Sequence, residues 1–151
     1  MFGLFKKKES KKRYYCEKYK VTGINPSSNR KKSIIVIAAS TDEEQIIIEH
    51  SGLLPPCTVE NVTPKPTQAQ LDLIKRKGIF VPFDSSKEDA SIFITRYFDG
   101  ITDYIPPASR DIVNFAINNN IFIPKYAGTK EAKDYLINAL PDKKQEIKEL
   151  K

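Results

Sequence analysis

A short box that occurs twice limits what this chain can fold into more than any other feature. Ile79-Phe-Val-Pro82 and Ile121-Phe-Ile-Pro124 stand 42 residues apart, and the flanking residues keep the same spacing. After the boxes, Ala90, Phe93, Ile94 and Tyr97 match Ala132, Tyr135, Leu136 and Ala139. Both quartets run i, i+3, i+4, i+7, which gives each segment one apolar stripe along a helix. Before the boxes, Thr67 and Ser109 occupy matching places as N-cap candidates, because their side-chain oxygens can accept from first-turn N–H groups. Proline cannot continue a helix and biases the residue before it toward extended backbone. Each unit therefore reads as helix, short extended segment, helix, with Ser85 or Ser86 and Gly128-Thr129 restarting the second helix. The units cover residues 66–98 and 107–140. Helical hairpins this small cannot bury all their aromatic side chains alone, so the units are expected to pack on each other or on the segment before them.

Upstream the period changes to two. Tyr15, Tyr19 and Val21 fall on one face of a strand that starts at Arg13, while Tyr14, Lys18 and Lys20 fall on the other. A turn-rich stretch over 23–29 and the triplet Arg30, Lys31, Lys32 lead into an apolar strand over 33–39, so the pattern is a β-hairpin with a long basic loop. Thr41-Asp-Glu-Glu44 has the spacing of a capping box and predicts a helix over 42–51 ended by Gly52. Residues 57–62 read as a third strand, and Thr63-Pro-Lys-Pro66 as a stiff linker. The expected architecture is α+β. A ββαβ module over 13–63 precedes the two tandem units, and a charged C-terminal helix over 141–151 frays outward. Residues 1–12 read as a disordered basic tail.

The second unit carries Ile112-Val-Asn-Phe-Ala-Ile-Asn-Asn-Asn-Ile121, then Gly128-Thr-Lys-Glu-Ala132 and the Leu136 stripe. The first has Gly78-Ile79 at the same step and Ser86-Lys87 at the restart. On these residues the units resemble the helix–extended–helix modules of the SAP and Rho N-terminal type. The resemblance implies binding of DNA or RNA through the start of the second helix and the loop before it. In this chain those places are Ser86 and Lys87, and Gly128, Thr129 and Lys130.

Charge points to a different part of the chain. Residues 1–32 hold eleven Lys/Arg against Glu9 and Glu17, a balance of +9, so the rest carries −3 of the net +6. The two units are close to neutral, with five basic against four acidic residues over 66–98 and four against three over 107–140. Nucleic-acid affinity rests largely on neutralising phosphates. The stronger candidate constellation is therefore Lys11, Lys12 and Arg13, then Tyr14, Lys18 and Lys20, then Arg30, Lys31 and Lys32, cations interleaved with rings on which bases can stack. A solubilising tail and a lysine-protected strand edge give the same pattern. Phe80, Phe83, Phe122 and Tyr126 flank the boxes and offer a groove to a partner helix or peptide, the route by which the chain would be a protein-interaction adaptor instead.

Catalysis finds little support. Gly52, Gly78, Gly100 and Gly128 are isolated, so no phosphate loop is present. His50 is the only histidine and has no evident Cys or Ser partner, and Cys16 and Cys57 match no metal or redox spacing. No catalytic residue, metal ligand or cofactor is expected. Met1-Phe-Gly-Leu-Phe5 is too short for a secretory core, and no run reaches the length of a membrane helix, so a cytoplasmic protein without a membrane role is expected. The sequence leaves the oligomeric state open.

Overall fold

The computed structural model describes residues 14–151, so the expected basic tail and Arg13 lie outside it. The period-two segment pairs with the apolar run as an antiparallel hairpin, β1 (Cys16–Ile24) with β2 (Lys31–Ala39). Asn25 closes the turn: its N–H donates to the Arg30 carbonyl at 2.8 Å, and its side-chain oxygen accepts from the Ser27 N–H at 2.9 Å. Lys31 and Lys32, expected in a loop, are therefore strand residues. Helix α1 (Glu44–Ser51) follows and stops at Gly52, which holds φ 71°, a conformation glycine adopts without cost. Strand β3 (Leu54–Asn61) then returns along the other side of β1, giving the antiparallel order β2-β1-β3.

The expected capping box at Thr41 does not form. Glu43 is the N-cap of α1 and makes no side-chain bond there. Asp42 is committed to the corner after β2 instead. Its carboxylate accepts from the Ala39 N–H at 3.0 Å, and its own N–H donates to the Ala39 carbonyl at 2.9 Å.

The helical half comprises α2 (Gln68–Lys77), α3 (Lys87–Phe98), α4 (Arg110–Asn118) and α5 (Thr129–Ala139). Matched positions adopt matched conformations. Thr67 and Ser109 are the N-caps of α2 and α4 and accept from Gln70 and Ile112 at 3.1 and 3.4 Å. Gly78 and Asn120 both have positive φ, 67° and 54°. The N–H groups of Ile79 and Ile121 donate back to Ile74 and Ala116 at 3.0 and 2.8 Å, and those of Ser85 and Ala127 to Pro82 and Pro124 at 3.1 and 3.2 Å. Ser86 and Gly128 then cap α3 and α5. Gly128 is required for space, since a Cβ there would lie 2.4 Å from Cγ2 of Ile105.

The C-terminal segment forms a 3-10 turn (Pro141–Lys143) and α6 (Lys144–Lys148). It does not fray outward. Ile147 is wholly buried, and the Lys133 ammonium ties down the end by donating to the carbonyls of Lys148 and Leu150 at 2.9 and 2.7 Å. Its charged residues had masked one anchoring isoleucine.

Two cores share the sheet. On one face Val21, Val36 and Ala38 pack with Ile47 of α1 and with Leu53. On the other, Cys16 and Ile37 join Ile92, Ile112, Ile123, Leu136 and Ile147. The helical half also closes the free edge of β2. The carboxamide of Asn120 accepts from the Ile37 N–H at 2.8 Å and donates to the Ile35 carbonyl at 3.3 Å, which is the pairing a further strand would supply. Among the described residues, no helix is long and apolar enough to cross a membrane.

Asn120→Ala is expected to lower stability by about 1–3 kcal/mol, since it strands a strand N–H and places alanine at positive φ. Asn120→Gly removes the hydrogen bonds but relaxes the backbone, and should fall between alanine and the parent. Urea unfolding midpoints of the three proteins check the order.

Candidate nucleic-acid interface

Directly opposed residues of an antiparallel pair share a face. Lys18 faces Ile37, Lys20 faces Ile35, and Ile24 faces Lys31. Lys18, Lys20 and Lys31 therefore lie on the sheet face that bears Cys16 and Ile37. The helical half covers only the Cys16 end of that face. Toward the turn the cover stops: Ile35 is 45% exposed, and Lys20, Arg30, Lys31 and Lys32 are all exposed. Thr22 and Ser33 lie between the lysines with their hydroxyls 2.7 Å apart. On β3, Thr58 pairs with Thr22, and Glu60 with Lys20. Lys32, opposite Gly23, presents to the other face. The open hairpin end thus exposes Lys20 and Lys31 on this face and Lys32 on the other, with Arg30 in the turn and Glu60 as the carboxylate beside Lys20.

The remaining residues expected in this constellation are placed differently. Lys11, Lys12 and Arg13 lie outside the described residues. Tyr14 packs on α4, its hydroxyl donating to Asn114 and the Arg110 guanidinium 4.0 Å from its ring centroid, so one face of the ring is occupied. The Lys18 ammonium sits 5.3 Å from the ring centroid of Phe122. Lys87, Thr129 and Lys130 are exposed at the starts of α3 and α5, and the Lys87 N–H donates to the Pro64 carbonyl at 2.9 Å.

The four aromatic residues around the boxes do not form one patch. Phe80 and Tyr126 line an apolar groove of about 570 Å³ with Phe93, Tyr97, Ile101 and Tyr104. Phe83 and Phe122 line a second cleft of about 520 Å³ between the sheet and the helical half, with Tyr15, Lys65, Ser85 and Lys125. Tyr15, Lys65 and Lys125 carried no sequence signal for this role. Tyr15 lies on the strand parity opposite Lys18, Lys65 is in the linker, and Lys125 stands where the first repeat has Phe83. Cys16 also borders the cleft, and burial pushes its thiol up to about 11, which leaves it unreactive near neutral pH.

A polar network fixes the two boxes against each other. Asp84 accepts from the Tyr126 hydroxyl at 2.6 Å and from the Lys125 ammonium at 3.0 Å. Burial opposes its ionisation, yet these donors outweigh burial and hold its carboxyl below the ordinary value. The wholly buried Asp89 accepts from the Ser86 N–H and hydroxyl, both at 2.9 Å, and from the Tyr126 N–H at 2.8 Å. Buried Arg96 grips Glu131 with both Nε and Nη2 and donates to the Tyr126 carbonyl at 3.1 Å. Comparison with protein-family models, curated proteins and solved structures finds no match for this chain.

Glu131 gives a pH signature. Burial raises its carboxyl, but hydrogen bonds from Arg96 and the Gly128 N–H, and the guanidinium charge, bring it below the ordinary value. A carboxyl depressed on folding contributes stability above its unfolded value, and that contribution is lost as pH falls through the folded value. Glu131→Gln is expected to cost about 1 kcal/mol at neutral pH, a partly exposed charge-assisted bond being screened by solvent. The deficit should vanish below the carboxylate range. Urea unfolding of both proteins at pH values on either side of that range reads the difference.

Proposed function

We propose that this chain binds nucleic acid without catalysing a reaction on it, and that the open end of the β1–β2 hairpin is its principal contact surface. The observation that carries the reading is the exposure of Lys20, Arg30, Lys31 and Lys32 at the turn end of the hairpin, with Lys20 and Lys31 on one face and Lys32 on the other. Exposed cations gain from phosphate contact by releasing counterions, and interleaved hydroxyls such as Thr22 and Ser33 can accept or donate along a backbone. Lys11, Lys12 and Arg13 would extend the same charge. The SAP-like resemblance adds Lys87, Thr129 and Lys130 as secondary contacts, subordinate because their units are nearly neutral. The thiols of Cys16 and Cys57, both free, fit a reducing, cytoplasmic compartment.

A second reading, a protein-interaction adaptor, is favoured by one observation. Phe80 and Tyr104 are 76% and 82% exposed at the rim of the 570 Å³ groove. Exposed aromatic rims of this kind mark contact surfaces.

Salt dependence separates the two. By fluorescence anisotropy, DNA and RNA affinity should fall steeply with added salt. Combined Arg30→Ala, Lys31→Ala and Lys32→Ala should weaken binding about 10-fold or more at low salt and flatten the salt slope by about 2–3. Absence of binding to either nucleic acid at low salt would reject the reading and direct attention to the groove.

A further inference from the structure

Phe83 contributes nothing to the fold as it stands. Its side chain is fully exposed, at 103%, while its repeat mate Lys125 folds back over Tyr15 at 4.4 Å and onto Asp84. An exposed phenyl ring beside a cleft is a cost in water that contact with a flat apolar partner would remove. Three rings border the cleft: Tyr15, Phe83 and Phe122. Its cations are Lys18, above Phe122, with Lys65 and Lys125 on the lining. The Ser85 hydroxyl, in a residue only 6% exposed, also lines it and has no hydrogen-bond partner. The three carboxylates on the lining are already engaged, Glu17 by the Asn61 carboxamide, Asp84 by Lys125 and Tyr126, and Asp89 by Ser86 and the Tyr126 N–H.

Lys18, whose ammonium lies 5.3 Å from the centroid of the Phe122 ring that lines the cleft, shares its sheet face with Lys20 and Lys31. A strand lying along those lysines is led to the aromatic rings. Only unpaired bases expose their faces for stacking, whereas a duplex hides them within its own stack. Resting on the nucleic-acid reading above, we propose that the cleft between β1 and the two proline boxes holds an unstacked base of a single strand, stacked on Phe83. Lys18 and Lys65 would take the adjoining phosphates, and the Ser85 hydroxyl would be the polar group nearest the base.

Phe83→Ala removes a wholly exposed ring and should leave the fold unchanged, which circular dichroism and the urea midpoint verify. The test measures anisotropy of short fluorescein-labelled oligothymidylate, oligouridylate, an abasic strand of the same length, and a duplex. Phe83→Ala should weaken oligothymidylate or oligouridylate binding roughly 5- to 100-fold, the range of one base–aromatic stack. Duplex and abasic-strand binding should be unaffected, and Phe83→Tyr should restore the loss. The DNA and RNA arms show which sugar the cleft accepts. If wild type binds all four equally and Phe83→Ala matches it while the hairpin variant does not, the cleft proposal is overturned and the hairpin reading stands. If wild type binds none of the four, both fall.

Discussion

Strand β2 carries apolar side chains on both of its faces, and the rest of the architecture follows from covering them. Val36 and Ala38 are met by Ile47 of α1, a helix that the chain supplies immediately after the strand. Ile37 needs a second cover, and most of that core comes from more than seventy residues away, Ile112 and Leu136 included. A helix cannot satisfy a strand edge with its own backbone, because its N–H and C=O groups are used internally. Asn120 resolves this with a side chain. Its carboxamide presents an acceptor and a donor to Ile37 and Ile35, so the face and the edge of β2 are closed by the same segment.

That docking leaves the distal hairpin uncovered. The helical half meets the sheet at the Cys16 end and stops before Lys20, so the strand alternation that buries Cys16 necessarily turns Lys18, Lys20 and Lys31 to the same side. Lys18, nearest the boundary, is drawn over Phe122, while those farther out stay in water. The surface charge of this region and the cover of its core are thus set by one parity, and a one-residue slip of β1 would lose both.

Much of this was legible in local pattern. The α+β class, the hairpin, and helices beginning at Thr67, at Ser85 or Ser86 (the structure selects Ser86) and at Ser109 follow from period and cap chemistry, which act over a few residues. What was not legible depended on distant partners. The exception is Thr41, which has the spacing of a cap while a competing local bond, three residues back to Ala39, claims Asp42. The last helix reads as charged, and Ile147 alone decides that it docks. Tyr14 has the look of a stacking ring until α4 brings Arg110 onto it. The four aromatic residues of the boxes look equivalent in sequence, yet the boxes turn Phe80 and Tyr126 into one depression and Phe83 and Phe122 into another.

The repeat explains why its two copies differ where they do. Local conformation is shared, as Gly78 and Asn120 show with their positive φ. Glycine is the easier residue for that geometry, and asparagine is among the few others that tolerate it. At Gly78 in the first copy, nothing lies within 4 Å of where a Cβ would point. The second copy faces the edge of β2 and uses a residue that both accepts the backbone and carries a peptide-like amide. The same division applies at Phe83 and Lys125. In the docked copy the position is spent on contacts with Tyr15 and Asp84, and in the other it is left as an exposed ring. The first copy is packed too, with Ile92, Asp89 and Arg96 buried, but at this one position it is left without a structural contact. Phe83 is the position where that freedom has been filled by the side chain least suited to water.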